Sequence, residues 1–96
     1  MSVMQNFTAQ IWDWNDELVQ VPMFQLLQWK HALKLEITTQ EKLGEPMRFK
    51  GGKLVSTHVR KVLGAPRNLS KQAMFQHLAD SIDSINDQLR QQGLID

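Results

Sequence analysis

Seven basic residues and no acidic residue lie between positions 48 and 71, and this basic segment is the first place to look for chemistry. The flanking parts of the chain are acidic, since residues 1–47 carry six acids and three bases and residues 72–96 carry four acids and one base. The net charge of +1 therefore conceals a basic centre. Its members are Arg48, Lys50, Lys53, Arg60, Lys61, Arg67 and Lys71.

A glycine pair within the basic segment, in the sequence KGGK at 50–53, stands just before a predicted helix. Free N–H groups and the positive end of the dipole at a helix N-terminus favour an anion such as phosphate. One interpretation of the basic segment is a module that contacts the phosphate backbone of a nucleic acid. Two other interpretations stay open, a solvated face balanced by the acidic ends and a docking site for an acidic protein. A nucleotide P-loop is excluded, because Met47 and Leu54 replace its first glycine and its hydroxyl residue.

Three carboxylates of the last predicted helix, those of Asp80, Asp83 and Asp87, share one face with His77 beside it. Carboxylates one helical turn apart are a known arrangement for divalent cations. A polar stripe opposite an apolar one is, however, what any surface helix shows. We therefore predict a solvated face and no metal site.

Residues for catalysis are few in this chain. His31, His58 and His77 are too far apart in sequence for a helical zinc-binding pair. Cysteine is absent, which removes thiolate nucleophiles and disulfides and suits a reducing compartment. No serine stands in a recognisable nucleophile–base pattern. The sequence predicts a protein that is not an enzyme, with no catalytic residue and no cofactor.

Apolar residues outside the expected core are candidates for a protein interface. Trp12 and Val19 lie off the apolar stripe of the first predicted helix and form a second, smaller patch. A second candidate is a heptad seam with spacings of 3 and 4 on the last helix. Packing of this seam within the chain's own core and packing against a second copy both stay open. The seam consists of Phe75, Leu78, Ile82, Ile85 and Leu89.

The elements that carry these residues are predicted from apolar periodicity and from proline and glycine punctuation. A stripe through Phe7, Ile11 and Trp14 predicts the first helix. The second helix is apolar on two sides, and a short strand at 33–39 is its alternative because Leu33, Leu35 and Ile37 alternate. The fold expected is an all-α, compact four-helix bundle in one domain spanning 1–96. Its helices are predicted near 3–19, 23–43, 53–63 and 69–92.

The function expected from the sequence is that of a small interaction or adaptor protein that self-associates as a homodimer. The alternative is the nucleic-acid-binding module described above. We expect no membrane interaction, because no apolar run approaches the length of a membrane span. A cytoplasmic location is expected from the absence of a signal-peptide pattern and of cysteine.

Overall fold

The computed structural model describes residues 7–49 and 51–94. Along the chain, the elements are β1 (Thr8–Trp12), β2 (Leu18–Pro22), α1 (Met23–Leu43), α2 (Val55–Leu63) and α3 (Lys71–Gln91). The two strands pair antiparallel. Within the described residues the architecture is therefore α+β, with three helices and one two-stranded sheet.

The predicted first helix is wrong, and with it the all-α four-helix bundle, because the described part of 3–19 is a β-hairpin. Residues 3–6 of that prediction lie outside the described residues. Phe7 and Ile11 are four residues apart, a spacing that places two side chains on one face of a helix and equally on one face of a strand. The deciding pattern is the alternation in β1, where Ala9 and Ile11 are buried between exposed neighbours.

The turn between the strands is built by Asp13, whose side chain replaces backbone hydrogen bonds. Its Oδ1 accepts the backbone N–H groups of Asn15 at 2.8 Å and Glu17 at 2.9 Å. Asp16 has a φ of 60°, in the left-handed region that Asn and Asp tolerate better than other side chains do. The sequence Asp13 to Glu17 thus favours a chain reversal over a continuous helix.

The remaining three predicted helices are present. The helix at 23–43 is α1, and residues 33–39 are helical throughout, so the alternative strand there is wrong. The helix predicted at 53–63 is α2, and the one predicted at 69–92 is α3. Ser70 caps α3, since its hydroxyl oxygen accepts the Ala73 N–H at 3.0 Å. Among the described residues, no helix combines the length and the apolar character that a membrane crossing requires.

Buried side chains from all five elements form one hydrophobic cluster. The inner face of the hairpin contributes Ala9, Ile11 and Val21, which cover one side of the helical core. The hairpin loop also meets the end of α2, because the Trp14 N–H donates to the Leu63 carbonyl at 3.0 Å. The loop thereby satisfies one of the carbonyls that a helix C-terminus leaves free.

Candidate functional site

The heptad seam of the last helix lies mainly in the protein's own core. Leu78, Ile82, Ile85 and Leu89 are buried, and Phe75 is half-buried with the Lys34 ammonium 5.5 Å from its ring centroid. These residues therefore offer little surface to a second chain in this arrangement. The other interface candidates are on β1 and β2.

The outer face of the hairpin carries the exposed apolar residues. Trp12 is 56% exposed and Leu18 is 51% exposed, and the two are directly paired across the strands. Val19, the second member of the predicted patch, is half-buried and packs against the core cluster. The exposed patch thus consists of Trp12 with Leu18.

Three of the seven bases in the basic segment are engaged within the fold. The Lys71 ammonium lies 3.0 Å from Oε2 of Glu36. Arg60 donates from Nη1 to the carbonyls of Pro66 and Leu69 in the turn between α2 and α3. Arg48 donates to the Gly52 carbonyl at 2.9 Å. Much of the basic composition of this segment therefore serves to hold two loops and one helix end.

The N-terminus of α2, where the sequence predicts a bound anion, receives a carboxylate from the protein itself. Glu36 of α1 is fully buried, and its Oε1 accepts the Ser56 N–H at 3.2 Å. Ser56 belongs to the first turn of α2, where N–H groups have no partner within the helix. Because Lys71 opens α3 and pairs with the same carboxylate, Glu36 joins all three helices at one point.

The other bases lie on the surface. Three side chains are exposed and have no ion-pair or hydrogen-bond partner within 7–49 and 51–94, those of Lys53, Lys61 and Arg67. Lys50 lies outside the described residues. The structure thus leaves three described cations of the basic segment open to solvent.

The acidic face of α3 behaves as a solvated helix surface. The Asp80 carboxylate accepts a hydrogen bond from Gln76, and Asp87 pairs with Arg90 at 3.1 Å. Both of these contacts are exposed. Asp83 is also exposed. No group of metal-ligating side chains occurs in the part of the chain that the structure describes.

The outer edge of β1 carries backbone groups that point away from β2. In an antiparallel pair, residues that bond to the partner strand alternate with residues whose N–H and C=O point outward. Two backbone hydrogen bonds just beyond the strands show which residues of β1 bond to β2 and which point outward. Met23 donates to the Phe7 carbonyl at 2.8 Å, and Asp13 donates to the Glu17 carbonyl at 2.9 Å. Odd-numbered residues of β1 therefore bond to β2, and the even-numbered ones point outward.

The outward groups belong to Thr8, Gln10 and Trp12. The Trp12 carbonyl accepts a bond from Nε2 of His77 on α3 at 2.6 Å, and the His77 ring packs on Trp14 with centroids 4.5 Å apart. The N–H and C=O groups of Thr8 and Gln10 have no protein partner in the described part of the chain. The strand edge is thus anchored to α3 at one end and unpaired along the rest of its length.

A groove with a volume of about 700 Å³ runs along this edge, between β1 and α3. Ile11 and Ile85 line its apolar floor. Its helical wall is one face of α3 with spacings of 4, 3 and 4, and the two serines in it are short enough to leave the groove open. These wall residues are His77, Ser81, Ser84 and Gln88. Asp80 adds a carboxylate to the lining. The groove thus combines an unpaired strand edge, an apolar floor and one carboxylate.

Neither Glu36 nor the open edge at Thr8 and Gln10 was predicted from the sequence. Glu36 follows Trp29 and Leu33 at helical spacing, so its position on a buried stripe was a readable signal of an internal partner. The edge required the hairpin, whose signal was the alternation in β1 and the turn-forming residues after it.

Comparison of the chain with protein-family models, with curated proteins and with solved structures finds no match.

Proposed function

We propose that this protein is a non-enzymatic interaction module that binds an extended segment of a partner protein in the groove between β1 and α3. The partner strand would add to the free edge of β1. The observation that carries the proposal is the outward N–H and C=O pairs of Thr8 and Gln10, which lie along a groove and lack a protein partner in the described residues. Strand addition satisfies such groups and gives affinity through main-chain hydrogen bonds.

The side-chain preference of the partner follows from the two faces of the strand. Successive side chains of an added strand alternate between the two faces of the sheet. Those on the inner side meet the apolar floor of Ile11 and Ile85, which favours valine, isoleucine or leucine. Those on the outer side extend the surface that begins with Trp12. The partner segment is therefore apolar at every second position.

Charge gives the second preference. The described residues that line the groove include the Asp80 carboxylate and no lysine or arginine. The hairpin loop next to the groove carries Asp13, Asp16 and Glu17. A segment with lysine or arginine at its alternate positions is steered to this end of the molecule, and an acidic segment is repelled. The occupant we commit to is an apolar–basic extended segment of another protein.

The test uses a peptide of about six residues, the common length of a strand, in which valine alternates with lysine. Substitution Gln10→Pro removes one outward N–H of β1 and places a proline ring on the edge, and proline is tolerated at strand edges. We expect it to weaken binding of the valine–lysine peptide by about tenfold or more. Affinity is measured by NMR titration, and folding of each variant is checked by urea unfolding.

The matched control is Gln20→Pro. Gln20 is the residue paired with Gln10 across the sheet, and its N–H points outward from the opposite edge, that of β2. This variant keeps the affinity of the native chain. Equal losses in the two variants would overturn the assignment of the site to β1, as would saturable binding that Gln10→Pro leaves intact.

A second variant tests the charge preference without touching the backbone. Asp80→Lys weakens binding of the valine–lysine peptide and strengthens binding of a peptide in which glutamate replaces lysine. If neither peptide responds to this substitution, the charge argument fails.

The homodimer expected from the sequence stays a prediction, and so does the cytoplasmic location. Sedimentation across protein concentration tests the first of these. A dimer that Gln10→Pro dissociates and Gln20→Pro does not would show that a second copy occupies the edge, which contradicts the partner proposed here.

A further inference from the structure

A second cavity lies between α1 and the chain from Phe49 to His58, and it shares no residue with the groove along β1. Its volume is about 510 Å³, within the range of small-molecule sites. Among the described residues, the lining combines aromatic rings, two glutamine amides and one lysine, with no carboxylate. This chemistry differs from that of the acidic groove.

A tight turn holds Phe49 and Lys53 opposite each other at the mouth of the cavity. The Phe49 N–H donates to the Lys53 carbonyl at 2.9 Å, and the Gly52 N–H donates to the Phe49 carbonyl at 2.9 Å. Gly51 and Gly52 have φ values of 87° and 75°, which glycine adopts without the steric cost that a side chain brings. Arg48 closes the turn through its bond to the Gly52 carbonyl. The glycine pair thus brings the backbones of Phe49 and Lys53 together, and both residues line the same cavity.

Aromatic rings supply a surface for a flat ligand. Phe49 is 44% exposed although it lines the cavity. Trp29 is buried in the wall and meets the His58 ring edge-on, with centroids 5.8 Å apart. A planar ligand ring can stack on the half-exposed Phe49, and the Trp29–His58 pair adds aromatic surface in the cavity wall.

Polar groups around these rings match the rest of a nucleotide. Gln25 and Gln28 each present an amide with donors and an acceptor, which can meet the edge of a base. The Lys53 ammonium has no ion-pair partner in the described residues and can meet a phosphate. The nearby helix end cannot take that phosphate at Ser56, because the Glu36 carboxylate already accepts its N–H.

We propose that this cavity binds the base and phosphate of a nucleotide, with the base stacked on Phe49 and the phosphate paired with Lys53. Free nucleotides and single-stranded nucleic acid both present this chemistry. The proposal goes beyond the interaction function above and does not depend on it, because the two sites share no residue.

The experiment titrates the full chain with adenosine 5′-monophosphate, with adenosine and with a single-stranded oligonucleotide of about ten nucleotides, a length within the range of known single-strand sites. Binding is followed by NMR and by the tryptophan fluorescence that Trp29 contributes. We expect saturable binding of the monophosphate and weaker binding of adenosine. An oligonucleotide that binds at least about tenfold tighter than the monophosphate identifies a nucleic-acid strand as the source, and equal affinity identifies the free nucleotide.

Two variants with matched controls locate the site. Phe49→Ala weakens binding of the monophosphate by about fivefold or more, as loss of a base stack does. Its control is Phe24→Ala, which removes a similarly exposed ring of α1 outside the cavity and leaves the affinity unchanged. Lys53→Gln weakens binding of the monophosphate but not of adenosine, and Lys61→Gln is its control. Absence of saturable binding by all three ligands would overturn the proposal. So would binding that Phe49→Ala and Lys53→Gln leave unchanged.

Discussion

Two junctions of the molecule differ in how their polar groups are paired. Where α1, α2 and α3 meet, the Glu36 carboxylate accepts a helix N–H and pairs with Lys71, and Arg60 holds the adjoining turn. Where β1 meets α3, one carbonyl is bonded by His77 and the edge beside it is open. The first junction therefore uses its charges for folding, and the second leaves hydrogen-bonding groups available for a partner.

This contrast changes the meaning of the basic segment. Its composition suggested a surface for phosphate, yet Arg48, Arg60 and Lys71 are engaged within the protein. Burial of an unpaired charge costs a large free energy. A buried carboxylate such as that of Glu36 therefore requires a cationic partner nearby. A cation-rich region of a sequence can thus arise because its cations pair with groups inside the protein, as well as because they bind an external ligand.

The largest effect is expected from Lys71→Met at the closed junction. It leaves the fully buried Glu36 carboxylate without its cation and lowers the free energy of unfolding by about 3 kcal/mol, at the lower end for broken buried pairs because Lys71 is 29% exposed. Urea unfolding gives the value. Adding Glu36→Gln restores at least half of the loss, since the amide oxygen can still accept the Ser56 N–H. A cost no larger than that of Lys61→Met would contradict an essential pairing.

A smaller effect is expected from Arg60→Leu. This variant removes the donors to the carbonyls of Pro66 and Leu69 and lowers the free energy of unfolding by about 1.5 kcal/mol, as hydrogen bonds from a charged donor do. Lys61→Leu, on the neighbouring exposed position, stays within about 0.5 kcal/mol of the native chain. If thermal and urea unfolding give the two variants the same stability, Arg60 does not hold the turn.

The smallest effect is expected at the open junction, from His77→Phe. The new ring can still pack on Trp14, but it cannot bond to the Trp12 carbonyl, so the cost is about 1 kcal/mol. Amide exchange in β1 rises more than exchange in α1, because the change releases the hairpin from α3 and leaves the helical core intact. A uniform rise across the protein would show that the two junctions unfold together.

The helical part of this fold could be predicted from the sequence because its signals are local. The apolar stripe of α1 and the proline and glycine residues that separate the helices are signals set by neighbours within a few residues. The same periodicity placed the seam residues on one face of α3 but left open whether that face packs in the core or against a second copy. These signals need no knowledge of how the elements pack.

The hairpin and the sites were not predicted from these local signals, for two different reasons. Phe7 and Ile11 share a face in a helix and in a strand, so the error came from weighing their spacing above the alternation and the turn residues from Asp13 onward. The pairing of Glu36 with Lys71 joins two positions far apart in sequence, and only packing brings them together. Periodicity could place Glu36 on a buried face but could not identify its partner.

The measurement that tests the central claim most directly is hydrogen exchange at the single amides of β1, with and without the valine–lysine peptide. In the free protein, the Ala9 and Ile11 amides bond to β2 and exchange slowly, while the Thr8 and Gln10 amides exchange fast. Saturating peptide slows exchange at Thr8 and Gln10 by about tenfold or more and leaves the Gln20 amide on the opposite edge unchanged. Thr8 and Gln10 amides that are already slow in the free monomer, or that peptide does not slow, would contradict an open and functional edge.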